Sequence, residues 1–213
     1  MSEPDSKPVC LIIAGPNGAG KTTFGDKVSV GTRLDPDAIA RDTSPDNPAA
    51  ASIQASREVI AAIKEHLEQR RSFTQETTLS STQPLRTMQQ AREAGFSVGL
   101  VYIGLQSALE SARRVAERVA KGGHDIPMAD IVRRFDRSLE NLERAIPEAD
   151  MVQIVANDSY DYRSIRGFEH GRIVHRADDV PAYLEKAVQV LDDRARALEQ
   201  DSEDRDNDGE RER

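Results

Sequence analysis

The chain has 213 residues, 38% of them hydrophobic, and a formal net charge of −8 at pH 7. This length and composition predict one domain with its own core, and Cys10 as the single cysteine excludes a scaffold held by internal disulfides. The acidity argues against a nucleic-acid backbone as the main partner. No apolar stretch reaches transmembrane length and the N-terminus has no signal-peptide segment, so we expect no membrane association and a cytoplasmic location.

The negative charge is concentrated at the C-terminal end. Residues 199–213 carry eight acids and three arginines, so this segment holds −5 of the total of −8. Such an acidic segment with almost no apolar residues is typical of disorder. We therefore predict a disordered N-terminus at 1–7, a folded domain at 8–198 and a disordered acidic tail at 199–213.

The first predicted elements frame a glycine-rich loop. A buried strand over 9–14 precedes GPNGAGKT at 15–22, and a helix over 22–30 follows, so the segment fits the phosphate-binding loop G-x-x-x-x-G-K-[ST] in its required setting. Lys21 of this loop reaches the β- and γ-phosphates of a nucleotide, and the Thr22 hydroxyl can ligate Mg²⁺. The alternative is an ordinary glycine-rich turn. The predicted nucleotide-binding residues are Gly15, Pro16, Asn17, Gly18, Ala19, Gly20, Lys21, Thr22 and Thr23.

The rest of the chain alternates between strands and helices. Strands are predicted at 32–34, 72–76, 96–103, 151–156 and 172–174, and helices at 49–70, 82–94, 108–120, 128–145 and 180–198. The alternation predicts an α/β fold of the three-layer P-loop NTPase type, with a mainly parallel sheet between helices and a helical lid at about 113–137. The carboxyl ends of parallel strands meet at one edge, so the loops at 15–21, 35–37 and 76–80 should lie together.

Acidic residues follow two of these strands. A carboxylate at Asp37, or at Asp35, can accept a proton from a substrate hydroxyl, although either residue could instead only cap the next helix. Glu76 ends a strand beside Thr77, a position typical of a substrate or metal contact, with a helix-capping role as the alternative. The chain has no apolar run ending in Asp of the Walker B type, so a second metal contact must be a water or an acid such as Glu76.

Arginines flank a Gly122-Gly123 hinge in the predicted lid. Arg118 before the hinge and Arg134 after it are predicted to stabilise charge on a transferred phosphate, and closure of the lid would exclude water. A solvated helical hairpin held by salt bridges is the alternative. His124 in the same loop could titrate near neutral pH, although a lone histidine in a lid is more often a hydrogen-bonded loop residue.

Together these segments resemble the zeta-toxin family of P-loop kinases, in particular its short stand-alone members. The resemblance implies an ATP- and Mg²⁺-dependent kinase acting on a small-molecule hydroxyl, and the better-known members phosphorylate the amino-sugar hydroxyl of UDP-N-acetylglucosamine. It also implies that Asp37 is the catalytic base, that Glu76 contacts the substrate, and that Arg118 and Arg134 bind phosphate. Thr77, beside Glu76 at the end of the strand, is predicted to contact the substrate as well. The matching segments are LIIAGPNGAGKTTF (11–24), LDPDAIA (34–40), SFTQETTLS (72–80), VYIGL (101–105), RVAERVAKGGHDIP (114–127) and RRFDRSLENL (133–142).

Two segments depart from the family pattern. Ala38-Ile39-Ala40 follows Asp37 where the longer toxins carry an arginine and a His-Pro element, so we expect a different pocket for the phosphate acceptor. The segment 157–159, Asn-Asp-Ser, resembles an Asp-Asn-Ser motif with its first two residues exchanged. Neither toxicity nor an antitoxin partner follows from these motifs.

Other functions also use a phosphate-binding loop. The main alternative is a P-loop ATPase or a nucleotide-switched binding module that has no phosphate acceptor, although the chain lacks an LSGGQ-like signature. A kinase of nucleic-acid ends would need a basic groove, which the composition does not indicate.

Overall fold

The computed structural model describes residues 7–44, 48–123 and 125–211, and one seven-stranded sheet forms its centre. Along the chain, the strands are β1 (Val9–Ala14), β2 (Thr32–Leu34), β3 (Phe73–Thr77), β4 (Ser97–Gly104), β5 (Met151–Ala156), β6 (Arg163–Glu169) and β7 (Arg172–Arg176). Their order in the sheet is β2-β3-β1-β4-β5-β6-β7. The first five in this order pair in parallel, and β6 and β7 add an antiparallel edge.

Seven helices in the described residues accompany this sheet. They are α1 (Lys21–Val28), α2 (Pro36–Thr43), α3 (Pro48–Glu68), α4 (Gln83–Glu93), α5 (Ala108–Ala120), α6 (Met128–Ala145) and α7 (Glu185–Arg211). None of the helices in this part of the chain is both long and apolar enough to span a membrane.

The core lies on both faces of β1. Cys10 and Ile12 point into one buried cluster, whereas Leu11 and Ile13 join the cluster on the opposite face. Successive side chains of a strand point to opposite faces, so a strand covered on both sides is apolar throughout, as β1 is. The predicted three-layer α/β architecture is therefore confirmed.

Several predicted elements also have the predicted bounds. The strands at 32–34 and 151–156 and the helices at 108–120 and 128–145 begin and end as their patterns indicate. β6 was not predicted, because its sequence RSIRGFE mixes charged, glycine and apolar residues without regular alternation. The partner strands on either side provide its pairing.

Two predictions about irregular segments differ from the structure. The segment 35–37, predicted as a loop, is the N-cap and first turn of α2, since Asp35 caps the helix and Pro36 suits its first position. The closing helix, predicted to end at Leu198, continues to Arg211 through part of the segment predicted as a disordered tail. Glu, Gln and Arg are good helix formers and can extend a helix that core packing has already nucleated. The disorder predicted for residues 1–7 concerns residues that, except Lys7, lie outside the described part.

Candidate active site

The glycine-rich loop connects the carboxyl end of β1 to α1 in a conformation that requires glycine. Gly20 has φ of 85°, and a Cβ atom there would lie 2.4 Å from the hydroxyl oxygen of Tyr162. Two side chains from the loop after β5 hold it from one side. Asn157 Nδ2 donates to the Ala19 carbonyl at 2.9 Å, and the Tyr162 hydroxyl donates to the Gly20 carbonyl at 2.8 Å. The backbone N–H groups of the loop are thus preorganised to bind phosphate oxygens.

Lys21 is buried within this loop. Only 9% of the residue is exposed, and its Nζ donates to the Pro16 carbonyl at 3.0 Å. Burial lowers the pKa of the Lys21 amine, while the neighbouring carboxylates of Glu76 and Asp37 act in the opposite direction. A bound phosphate would supply further negative charge here and favour the protonated amine.

Thr22 and Glu76 meet at the beginning of α1. The Thr22 hydroxyl donates to Glu76 Oε1 at 3.0 Å, and the other carboxylate oxygen pairs with Arg33. Arg33 also reaches Asp26 at 2.6 Å, so this guanidinium links the end of β3 to α1 and β2.

The Thr22–Glu76 pair fits Mg²⁺. Hydroxyl and carboxylate oxygens are suitable ligands for Mg²⁺, which often binds through one or two carboxylates, waters and substrate phosphates. Within the described residues, no group of three or more His, Cys, Asp and Glu side chains could hold a metal ion. Phosphate oxygens and water would therefore complete the shell.

Asp35 and Asp37 lie two residues apart but in different environments. Asp35 Oδ1 accepts from the backbone N–H of Asp37 at 2.9 Å and caps α2, and only 8% of Asp35 is exposed. Burial, with repulsion from Glu76 and Asp37, raises the pKa of Asp35. Asp37 is exposed and borders the open space above the loop. The capping alternative therefore describes Asp35, and Asp37 lies where a substrate hydroxyl can reach it.

Two adjoining cavities open at this edge of the sheet. The phosphate-loop cavity, of about 850 Å³, is bordered by Gly18, Gly20 and Arg118 among others. The second cavity, of about 580 Å³, is bordered by Thr77 and Arg134 among others. Four residues border both cavities, namely Lys21, Asp35, Asp37 and Glu76.

The two predicted lid arginines lie in different cavities. Arg118 and the hinge glycines Gly122 and Gly123 border the phosphate-loop cavity. Arg134 borders the second cavity together with Arg137. The structure thus places one arginine in each cavity rather than both in one. His124 lies outside the described residues.

Arg114 and the segment after β5 were not assigned a definite role from the sequence. Arg114 is 5% exposed, and its Nη2 donates to the carbonyls of Asn157 at 2.7 Å and Asp158 at 3.1 Å. Asp158 Oδ1 in turn accepts from the Tyr183 hydroxyl at 2.9 Å. The Asn-Asp-Ser segment therefore joins the phosphate loop, α5 and the turn that precedes α7. Its likeness to the family motif was the one available signal.

Thr77 lies at the carboxyl end of β3 and borders the second cavity. Its hydroxyl accepts from the Leu79 backbone N–H at 3.0 Å, which fixes the following turn. Asn141 of α6 holds the same turn through a 2.8 Å bond to the Leu79 carbonyl. The second cavity therefore has a well-supported wall on the β3 side.

The fold and the loop define a nucleotide-binding protein of the P-loop kinase-like class. The chain belongs to the Zeta toxin family, whose model matches residues 1–166. It is also 37% identical over 129 residues to an uncharacterised protein of Haemophilus influenzae, an alignment that covers 58% of this chain and 89% of that protein. Membership in this family supports a kinase-like activity that uses ATP.

Solved structures share the fold at low sequence identity. The AvrRxo1-ORF1:AvrRxo1-ORF2 complex with sulphate ions matches with a TM-score of 0.63 and 15% identity, over 87% of this chain and 64% of that chain. The complex with ATP gives a TM-score of 0.61 and 15% identity, with coverage of 88% and 64%. The structure of the PezAT toxin–antitoxin system of Streptococcus pneumoniae matches with a TM-score of 0.57 and 14% identity, over 92% of this chain and 89% of that chain. This chain therefore spans less than two thirds of the AvrRxo1 chain.

Proposed function

We propose that the protein is an ATP- and Mg²⁺-dependent kinase that transfers the γ-phosphate to a hydroxyl group of a small molecule. The observation that carries the proposal is the wall shared by the two cavities. Lys21 and Asp37 border both spaces, so a nucleotide in one cavity and a phosphate acceptor in the other would meet at these two side chains.

The phosphate-loop cavity would hold the nucleotide. Backbone N–H groups of the loop bind the phosphates, and Lys21 reaches the β- and γ-phosphates. Thr22 and Glu76 would hold Mg²⁺ together with phosphate oxygens and water. When bound, the ion neutralises charge on the phosphate oxygens.

Asp37 would act as the general base. Its carboxylate takes the proton of the phosphate acceptor's hydroxyl as that oxygen bonds to the γ-phosphorus, and the bond from phosphorus to the β–γ bridging oxygen breaks to release ADP. Arg118, which borders the phosphate-loop cavity, would stabilise negative charge on the transferred phosphoryl group. The lid above it would exclude water, which favours transfer to a hydroxyl over hydrolysis.

The chemistry of the second cavity supports an anionic phosphate acceptor. Its border includes Arg57, Arg134 and Arg137 as well as the hydroxyl side chains of Thr77 and Thr78. Arginines bind phosphate, and hydroxyls bind sugar oxygens. A nucleotide sugar combines both groups, so we propose this class, with UDP-N-acetylglucosamine as the first compound to test.

A protein partner of the antitoxin type belongs to the same proposal. The motifs alone gave no reason to infer one, but the chain belongs to the Zeta toxin family and shares its fold with the PezAT toxin–antitoxin system. Both observations support such a partner.

The proposal is tested by separating nucleotide binding from phosphate transfer. The Asp37→Asn variant should bind ADP with wild-type affinity by calorimetry, while transfer from radiolabelled ATP falls by about 10²- to 10⁴-fold, the usual contribution of a general base. Lys21→Ala should lose transfer altogether. If Asp37→Asn transfers phosphate at the wild-type rate, Asp37 is not the base. Release of free phosphate alone, under all conditions, would favour the ATPase alternative.

A further inference from the structure

Tyr160 is an exposed aromatic residue on a strained backbone. It lies in the loop between β5 and β6, borders the phosphate-loop cavity and is 60% exposed. Its φ of 59° lies in the left-handed region, which costs a residue other than glycine on the order of 1–3 kcal/mol. Core packing does not explain this conformation, because the side chain points out of the core.

The ring is held in place by α5. The Arg114 guanidinium lies 4.2 Å from the ring centroid, close enough for a cation–π contact. Arg114 is itself fixed by Glu110 at 2.6 Å, and hydrogen bonds from Arg113 and Arg114 lower the pKa of Glu110 to about 2. This carboxylate is therefore ionised at neutral pH and keeps the arginine in position. The Tyr160 hydroxyl donates to Glu117.

The position of Tyr160 in the cavity indicates which part of a nucleotide it would meet. Lys21 marks the β/γ end of the phosphate chain, near Asp37 and Glu76. Tyr160 borders the phosphate-loop cavity but does not border the second cavity. Arg114, which supports the ring, packs against the loop at Gly18. A Cβ atom added to Gly18 would lie 2.9 Å from the Cβ atom of Arg114. The ring therefore lies beside the loop and outside the border of the second cavity, where the phosphate acceptor is proposed to bind.

We propose that the exposed Tyr160 ring stacks on the base of the nucleotide and holds its nucleoside end. Aromatic faces stack on any base, so a ring presented beside a phosphate site is suited to this contact. The inference rests on the proposed function only in requiring a nucleotide in the phosphate loop. It does not depend on the phosphate acceptor.

Fluorescence gives a direct test, because the chain contains no tryptophan. Tyr160→Trp would place the single tryptophan of the chain at this position, so its emission can be excited selectively over that of the remaining tyrosines. Titration with ADP should change its emission, whereas saturating inorganic tripolyphosphate, which fills the loop without a base, should leave it unchanged. Equal responses to both ligands, or to neither, would overturn the stacking contact.

Calorimetry on the full chain provides a second readout. Tyr160→Ala should weaken ADP binding about tenfold or more, and Tyr160→Phe should bind ADP as the wild type does. Both variants should bind tripolyphosphate within about twofold of the wild type, which also shows that they are folded. Wild-type ADP affinity in Tyr160→Ala would contradict the proposal, as would an equal loss for tripolyphosphate. If the wild-type chain binds neither ligand, the nucleotide site of the proposed function fails first.

Discussion

Asp35 and Asp37 show how one peptide segment can place two identical side chains in different roles. The chain turns into α2 at Asp35, so this side chain points back to cap the helix and is buried. Asp37 follows Pro36 in the first turn and borders both cavities. Of the two acids, Asp37 alone combines exposure with access to the space that a phosphate acceptor would use.

The raised pKa of Asp35 predicts a pH-dependent gain in stability on Asp35→Asn. Ionisation of a carboxyl whose pKa is higher in the folded state lowers the stability of the fold. This cost is fully present at a pH above the pKa of the folded state. It disappears as the pH falls through the pKa of the unfolded state, about 3.9. Asparagine keeps the cap without the charge. In thermal unfolding, the midpoint temperature of Asp35→Asn should therefore be higher than that of the wild type at pH 7, and the difference should be smaller near pH 4.

Asp35→Ala is the matched control for that measurement. Alanine removes both the charge and the cap, and loss of an N-cap costs about 1 kcal/mol at any pH. Asp35→Ala should therefore be less stable than Asp35→Asn at both pH values. A constant difference between Asp35→Asn and the wild type from pH 7 to pH 4 would mean that ionisation of Asp35 carries no cost.

At the scale of elements, the loop after β5 supports the phosphate loop. The Asn157 side chain donates a hydrogen bond to the backbone carbonyl of Ala19, a residue that is fully buried. A carboxylate at this position could not donate this bond, which gives a physical reason for asparagine at 157 in this chain. The contact joins the loops at the carboxyl ends of β1 and β5, two strands that β4 separates in the sheet.

Asn157→Ala should therefore destabilise the fold and weaken nucleotide binding together. Leaving the Ala19 carbonyl without its donor costs about 1–3 kcal/mol, which chemical denaturation can measure. ADP affinity should fall as the loop loses its support. Asn141→Ala is the control, because Asn141 makes a similar bond to the Leu79 carbonyl beside the second cavity. It should lose stability with little change in ADP affinity, and equal losses of affinity in both variants would contradict the assignment.

The sequence predicted those elements whose residues carry a local pattern. The loop at 15–22 combines a motif with a strand before it and a helix after it, so its position at the sheet edge followed directly. Arg33 and Tyr160 could not be found in this way, because their contacts with Glu76 and Arg114 join segments distant in the chain. Arg134 was predicted to lie in the lid, but only the packing of α6 decides which cavity it borders.

At the scale of the whole molecule, the C-terminal segment forms the last turns of α7. The described side chains at 199–202, 204 and 205 are exposed, so this part of the helix contributes little buried surface. Removal of residues 199–213 should change the free energy of unfolding by less than about 0.5 kcal/mol and leave activity intact.

Circular dichroism of the same truncated protein tests whether residues 199–211 are helical, as in the structure, or disordered, as the composition predicts. Loss of helical signal is expected if residues 199–211 are helical in solution, as in the structure. An unchanged helical signal would favour disorder instead. A fall of several degrees in the unfolding midpoint would show that the segment has a structural role.

Phosphate transfer across the wall shared by the two cavities is tested most directly by ³¹P NMR. ATP and Mg²⁺ are incubated with the protein and a panel of nucleotide sugars, with 5′-hydroxyl oligonucleotides as a second class of phosphate acceptor. We predict a new phosphomonoester resonance that grows with ADP in the presence of a nucleotide sugar and is absent with Lys21→Ala. Formation of only ADP and inorganic phosphate with every compound would contradict the assignment as a kinase, and transfer to the oligonucleotides alone would contradict the proposed class of acceptor.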